Sequence, residues 1–362
     1  MNIPAQNIFF NQQQIEWQDI LQQKKILDSP YANSAFSFLQ KWITGEQKFD
    51  LQTSGSTGKP KKLIVTREQL IASASATGNA LQLKANQHAL LALSAQYIAG
   101  IMMLTRAMVW QQHIYITEPS NNPLQNFSDH QTFDFVALVP LQIQTLIDAF
   151  GLHTLSRWKK ILIGGAPLSN LLKEKITHAE SDIYLTYGMT ETISHVALQK
   201  ISGKNKQERF YPLPGIQLSQ DENSCLRIRA PYLADEIQTN DVVKLYEDAS
   251  FEWLGRADFV INSGGIKIHP EEIENKIENM LRALAIDTYF VSALPDEKLG
   301  EKLILLIESN ESISTTHLLQ QVKETLPPYQ NPKEMYILPH FKRTENGKLN
   351  RKATLDLVKV GG

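Results

Sequence analysis

The sequence predicts an α/β protein, with a large α/β domain followed by a smaller α+β unit. Three observations carry this reading. From Leu63 onward, short apolar runs alternate with longer amphipathic stretches, the pattern of a sheet with helices packed on its faces. After Tyr187 the rhythm changes to short alternating runs, "CLRIRA", "DVVKLYE" and "SFEWLG", separated by polar turns, which read as mostly antiparallel β structure. At 362 residues the chain exceeds what one small core serves, and a fresh amphipathic unit opens at "HPEEIENKIENML".

Each element has its own local reason. Thr66-Arg-Glu-Gln69 has the residue pattern of a capping box, so a helix opens there and runs to Ala80. The stretch "ALLALSAQYIAGIMMLTRAMVW", Ala89 to Trp110, has the length of a membrane span, but Gln96, Gly100 and Arg106 interrupt it. It reads instead as a buried strand, Ala89 to Leu93, a turn, and a buried helix, Ala99 to Trp110. Further strands are expected at Ile114 to Thr117, Phe135 to Val139, Lys160 to Ile163 and Ile183 to Tyr187. Helices fit between them at Pro140 to Phe150, with proline in its first position, and at Leu168 to Ala179. In the last unit, Pro270 and two glutamates suit a first helical turn, with Ile273, Ile277, Met280 and Leu281 on one face, and strands follow at Thr288 to Leu294 and Leu303 to Glu308.

Composition narrows the function. Thirty-six basic against 38 acidic residues leave a net charge of −2, so no basic field argues for nucleic acid or an anionic membrane, and small molecules are the expected partners. The single cysteine, Cys225, forms no intrachain disulfide, which suits a reducing cytoplasm, and it reads as a small buried apolar residue. The start, "MNIPAQNIFFNQQQ", lacks the basic and apolar regions of a secretory signal.

Five stretches carry chemistry. "TSGSTGKPKK" (Thr53 to Lys62) is not the common P-loop, because only two residues separate Gly55 from Gly58-Lys59 and Pro60 follows. It still suits phosphate: glycines let amides converge, Ser54, Ser56 and Thr57 add hydroxyls, and Lys59 adds charge, although a polar turn has the same composition. "TYGMTE" ends a strand at Tyr187-Gly188, where ligands of open α/β sheets bind; the tyrosine can stack on a purine and Glu191 can bind magnesium. "TND" offers Asp241 to ribose hydroxyls, or a solvated turn aspartate. "GRADFVINSGGIKIHPEEIE" places Arg256 within reach of ribose or phosphate and permits a tight turn at Gly264-Gly265; its plain reading is a hairpin and a capped helix. "RTENGKLNRK" carries Lys348 beside Asn-Gly, a strong hairpin signal.

Together, in this order and spacing, the five resemble the adenylate-forming superfamily of acyl-CoA synthetases, luciferases and peptide-synthetase adenylation domains over Leu51 to Lys352. The resemblance implies the adenylate-forming enzyme fold, a domain of residues 1–257 binding ATP and acid, and a small mobile C-terminal domain of residues 258–362. Only 52 residues precede Thr53, so the N-terminal part looks abbreviated, and "TND" stands where the family has "TGD". The implied cofactors are ATP, Mg²⁺ and coenzyme A. Thr53 to Lys59, Tyr187, Gly188, Thr190, Asp241 and Arg256 would hold the nucleotide, and Gly264, Gly265 and Lys267 would serve the pantetheine channel. Lys348 and Glu191 would be catalytic, the latter as the metal ligand, and Asp258 falls at the hinge.

The stretch "SAQYIAGIMMLTRAM" resembles that of o-succinylbenzoate:CoA ligases of menaquinone biosynthesis, which carry an arginine six residues after this glycine, as Arg106 does. An arginine in an apolar segment needs an anionic partner: the substrate's second carboxylate, or a structural acid. Gly164, Gly165 and Ala166 would leave room for a ring, Tyr97 would line the pocket, and His195 is either a substrate contact or a satisfied structural histidine. Two alternatives remain open, transfer to a carrier protein, disfavoured because only ten residues follow Lys352, and an inactive nucleotide-binding scaffold. A homo-oligomer is possible.

Overall fold

The computed structural model describes residues 4–22, 29–52, 62–311, 313–343 and 349–360. The largest element is a nine-stranded sheet in the order Tyr211–Pro212, His195–Lys200, Asp182–Gly188, Trp158–Ile163, Phe133–Leu138, His88–Leu91, His113–Ile116, Ile8–Phe10, Gln13–Ile15. The six strands from Asp182–Gly188 to Ile8–Phe10 are parallel, and antiparallel strands close both edges. From His88–Leu91 the chain first adds a strand on one side, His113–Ile116, and then crosses to Phe133–Leu138 on the other. That reversal opens a crevice at the carboxyl ends of these strands, where α/β sheets bind ligands.

Helices cover both faces because the parallel strands are apolar on both sides. One face packs against helices Pro30–Ile43, Arg67–Leu81 and Ile98–Val109 and shares its core with a four-stranded antiparallel sheet, Gln217–Gln220, Cys225–Arg229, Ile237–Leu245 and Phe251–Arg256. Helices Pro140–Phe150 and Asn170–Ile176 cover the other. The expected capping box is present: Thr66 Oγ1 accepts from the Gln69 amide at 3.2 Å, and Gln69 Oε1 accepts from the Thr66 amide at 2.8 Å. Among the described residues no helix is long and apolar enough to cross a membrane.

Residues 261–338 build a further five-stranded sheet with its own core. Ile273, Ile277 and Leu281 of helix Pro270–Ala283 are buried in it, with Met280 at its margin. Gly264 (φ +60°) and Gly265 (φ +82°) make the two-residue turn of the hairpin Ile261–Ser263/Ile266–Ile268, a geometry that needs positive φ at both positions. This unit touches the rest at Asn170, whose amide donates to Glu278 Oε2 at 2.9 Å and whose Nδ2 donates to the Asn275 carbonyl at 3.3 Å.

Two expectations need correction. The helix expected over Leu168–Ala179 is only Asn170–Ile176, because Ser169 caps it, accepting from the Leu172 amide at 3.2 Å, and holds the residues before it in a loop. Thr239–Asp241 is not a turn: it lies inside strand Ile237–Leu245, and Asp241 is 8% exposed. Strands Ile8–Phe10, Gln13–Ile15 and the hairpin Lys48–Gln52/Lys62–Thr66 had no sequence-based expectation; the first two lie at a sheet edge and are too short for a periodic signal.

Candidate functional site

Two chains of polar side chains meet at the strand Asp182–Gly188 and the turn after it. The first starts at Tyr187, whose hydroxyl donates to Asp241 Oδ2 at 2.7 Å. Asp241 and Arg256 are cross-strand partners, with 3.8 Å between Oδ1 and Nη1. Arg256 Nη2 donates to Asp258 Oδ2 at 2.7 Å, and Asn240 Nδ2 donates to Asp258 Oδ1 at 2.9 Å. Burial works against the Arg256 cation, but Asp258, Asp241 and Glu271 outweigh it and hold its pKa above the ordinary value. Burial and then the Asp241 carboxylate push the Tyr187 phenol up as well, so it stays a proton donor. The Tyr187 ring packs edge-on against Phe251 at 5.0 Å and tilted against Phe210 at 6.0 Å, which fixes the hydroxyl's direction.

The second chain starts at Arg106 on helix Ile98–Val109, only 2% exposed. Its Nη2 donates to Ser194 Oγ at 2.7 Å. Ser194 Oγ lies 3.4 Å from His195 Nδ1, and His195 Nε2 lies 3.0 Å from Thr77 Oγ1, which donates to the Ser73 carbonyl at 3.2 Å. The proton directions follow from the ends. Arginine only donates, so the Ser194 proton is free for Nδ1; Thr77 spends its proton on the carbonyl, so it accepts from an Nε2–H. His195 is therefore neutral. Its burial, with the Arg106 charge beside it, holds its pKa well below the ordinary histidine value.

Among the described residues Arg106 has no carboxylate within ion-pair distance, and its Nε–H has no hydrogen-bond partner. Burial pulls its pKa from 12.5 down to about 9, opposed by Tyr232. A charge this deep without a counter-ion is the strongest electrostatic irregularity of the site.

The turn between the chains is tightly built. The Met189 amide donates to Thr192 Oγ1 at 2.9 Å, and the Thr192 hydroxyl reaches the Ser194 carbonyl at 2.7 Å. Ile193 is buried at φ +69°, a left-handed conformation that strains a β-branched residue. Thr190 accepts the Ile193 amide at 2.9 Å, and Glu191 projects from the turn exposed. Gly188 and Gly164 leave no room for a side chain: a Cβ would sit 2.4 Å from the Ser194 oxygen at the first and 2.2 Å from Thr186 Oγ1 at the second. Gly165 (φ +84°) and Ala166 follow in an exposed loop, and Tyr97, 41% exposed, precedes helix Ile98–Val109.

The structure thus brings together Tyr187, Asp241, Arg256 and Asp258, and separately Arg106 and His195, with Gly164 beside the same strand. It places Lys267 at a cavity of about 780 Å³ that Asp221, Asn240, Leu254 and His269 also line. Thr53, Ser54, Gly55, Ser56, Thr57, Gly58, Lys59 and Lys348 lie outside the described residues; the strands Lys48–Gln52 and Lys62–Thr66 pair on either side of the first stretch, and Arg343 bridges Leu349 around the second. Sequence reasoning missed Thr77, Ser194 and Tyr232. The spacing of Gln69, Ser73 and Thr77, polar residues four apart on one helix face, was the signal available for the first.

Among the described residues no three His, Cys, Asp or Glu side chains cluster as a metal cage. Magnesium carried by a nucleotide needs only one or two protein carboxylates, and the exposed Glu191 fits that demand.

A profile of the AMP-binding enzyme family matches residues 51–222. A crystal structure of an acyl-CoA synthetase (AMP-forming)/AMP-acid ligase II-like protein from Dyadobacter fermentans is 41% identical, covering 93% of this chain and 97% of that one, with a TM-score of 0.63. A 2-succinylbenzoate–CoA ligase of Listeria monocytogenes is 25% identical over 335 residues, 86% of this chain and 70% of the relative. In fold, the chain is similar to the o-succinylbenzoate coenzyme A synthetase of Bacillus subtilis, solved in complex with ATP and magnesium ion: the TM-score is 0.73 at 21% identity, covering 85% of this chain and 69% of that one.

Proposed function

The chain belongs to the AMP-binding enzymes, and from that premise we propose that it is an ATP-dependent acid:CoA ligase acting on o-succinylbenzoate. The acid's succinyl carboxylate attacks the α-phosphate of ATP, forming an acyl-adenylate and releasing pyrophosphate. The thiol of coenzyme A then attacks the acyl carbon, the mixed anhydride breaks, and AMP leaves. The products are o-succinylbenzoyl-CoA, AMP and pyrophosphate.

One observation carries the substrate: among the described residues Arg106 is buried without an acid partner, on a helix whose neighbouring turn also bears Glu191. o-Succinylbenzoate has an aromatic carboxylate besides the one that reacts, and that second anion supplies the missing counter-charge. The likeness to 2-succinylbenzoate–CoA ligases supports the same acid.

The remaining roles follow the chemistry. Asp241 receives ribose hydroxyls, with Tyr187 and Arg256 fixing its carboxylate, and Thr53 to Lys59 hold the phosphates. The first half-reaction brings two anions together, so Lys348 stabilises them most. Magnesium, when bound near Glu191, offsets the leaving pyrophosphate's charge. Residues 258–362 rotate about Asp258 between half-reactions, replacing Lys348 by Gly264, Gly265 and Lys267 at the active centre. The enzyme works in the cytoplasm, where ATP and coenzyme A are found. A panel of carboxylic acids in a CoA-consumption assay tests the reading: o-succinylbenzoate should give the highest kcat/KM, and a preference for monocarboxylic acids would refute the assignment.

A further inference from the structure

Among the described residues, three linked residues each carry a buried polar atom without a hydrogen-bond partner: Arg106 (Nε), Tyr232 (OH) and Ser73 (Oγ). Their placement follows from helix Arg67–Leu81, where Gln69, Ser73 and Thr77 stand four residues apart on one face. Gln69 Nε2 donates to the Tyr232 carbonyl at 3.0 Å, which anchors Tyr232 at one end of this stripe. Thr77 meets His195 at the other end, and His195 leads through Ser194 to Arg106. Ser73 lies between the two ends. Its hydroxyl stands beside the Tyr232 phenol without completing a hydrogen bond; burial raises that phenol's pKa, and the Arg106 cation works against the rise.

Every other polar group in the stripe is already engaged. Gln69 serves the capping box and the Tyr232 carbonyl, Thr77 its two bonds, and Ser194 and His195 each other. The remainder includes the Arg106 Nε–H, which only donates, and two hydroxyls free to donate. Leaving each unmet underground costs about 1–3 kcal/mol, so the set is built for something that accepts. A water molecule can accept about two of these hydrogen bonds, but it leaves the buried Arg106 cation without a counter-charge. A carboxylate has about four lone-pair sites and no proton to place.

We propose that Ser73 and Tyr232 are specificity-determining residues, hydroxyl donors that close with the Arg106 Nε–H on the carboxylate of the acid that is not activated. The proposal rests on the reading of Arg106 given above. It makes the recognition of that anion a three-element pocket: helix Arg67–Leu81, helix Ile98–Val109 and the residue 230–235 segment.

The test compares o-succinylbenzoate with benzoylpropionate, the same acid without its ring carboxylate, in the wild type, Ser73→Ala, Tyr232→Phe and Arg106→Lys. Losing a donor to a charged group should lower kcat/KM for the diacid about ten- to a hundred-fold more than for the monoacid. The thermal stabilisation given by saturating o-succinylbenzoate should shrink in parallel, while that given by ATP persists. Equal losses for both acids, or none, overturn the proposal. If Tyr232→Phe fails to fold, Ser73→Ala alone decides it. A wild type that does not prefer the diacid sinks the reading of Arg106 itself; a preference lost in Arg106→Lys but kept in the two hydroxyl variants sinks only the part assigned to Ser73 and Tyr232.

Discussion

Replacing Arg106 by methionine removes a buried charge while keeping most of the side chain's volume, and it should stabilise the ligand-free protein while crippling recognition of the diacid. The fall in pKa from 12.5 to about 9 corresponds to about 5 kcal/mol against the charged form in the folded chain. Below pH about 9 the guanidinium is charged in both folded and unfolded chains, so the whole penalty is present at neutral pH and is relieved only as pH rises through about 9 towards 12.5. The substitution forfeits one charged hydrogen bond, to Ser194, worth about 1.5–3 kcal/mol. The balance is a gain of about 2–3 kcal/mol, within the range seen when buried charges give way to apolar side chains. For a domain of this size that raises Tm by about 5 °C. Binding moves the other way, because a buried carboxylate deprived of its cation loses about 2–5 kcal/mol, at least about 30-fold in KM for o-succinylbenzoate. Calorimetry with and without the acid, together with steady-state kinetics, reads both effects. A Tm lowered by several degrees would refute the reasoning, since Arg106 would then be a structural cation with a counter-charge of its own.

Lys348→Ala should abolish acyl-adenylate formation while leaving thioester formation from supplied adenylate within a few-fold of the wild type; equal loss of both half-reactions in a folded variant argues against its role. Asp258→Pro fixes φ near about −65° and should let acyl-adenylate accumulate with little thioester in single-turnover experiments. Asp258→Ala, which loses only the contacts to Arg256 and Asn240, should not; unimpaired transfer in the proline variant removes Asp258 as the pivot. Asp241→Asn should raise KM for ATP far more than for the acid, because it disturbs the carboxylate that Tyr187 and Arg256 orient. His195 is kept neutral by burial, so stability should be full above pH about 6.5 and decline below it by up to about 1.4 kcal/mol per pH unit as the unfolded chain takes up a proton. Urea midpoints at pH 7.5 and 5.5 should therefore draw apart in the wild type more than in His195→Gln; identical separations would mean His195 titrates normally.

How much of this was legible in the residues varies with the kind of signal. Helix Arg67–Leu81 could be read from Thr66 and Gln69 because a capping box is local chemistry, and the strands from His88 to Gly188 because buried parallel strands are short and continuously apolar. Asp241 could be singled out, but ribose binding and a solvated turn both stayed open, since nothing local distinguishes a solvated aspartate from one whose partners, Tyr187 and Arg256, arrive from other strands. The same holds for the chain from Arg106 through Ser194 and His195 to Thr77: its ends are 29 residues apart in sequence and its middle comes from a third element, so only the folded chain joins them. Arg106 itself could be flagged because an arginine in an apolar helix is anomalous wherever it sits. What the sequence left open, whether a structural acid neutralises it, required knowing its neighbours.

The central claim is that this chain activates o-succinylbenzoate as an adenylate before coenzyme A enters. Isotope exchange between pyrophosphate and ATP, measured without coenzyme A, tests it most directly. The account predicts exchange that depends on o-succinylbenzoate, needs magnesium and disappears in Lys348→Ala. Exchange independent of the acid, or none until coenzyme A is added, would contradict it.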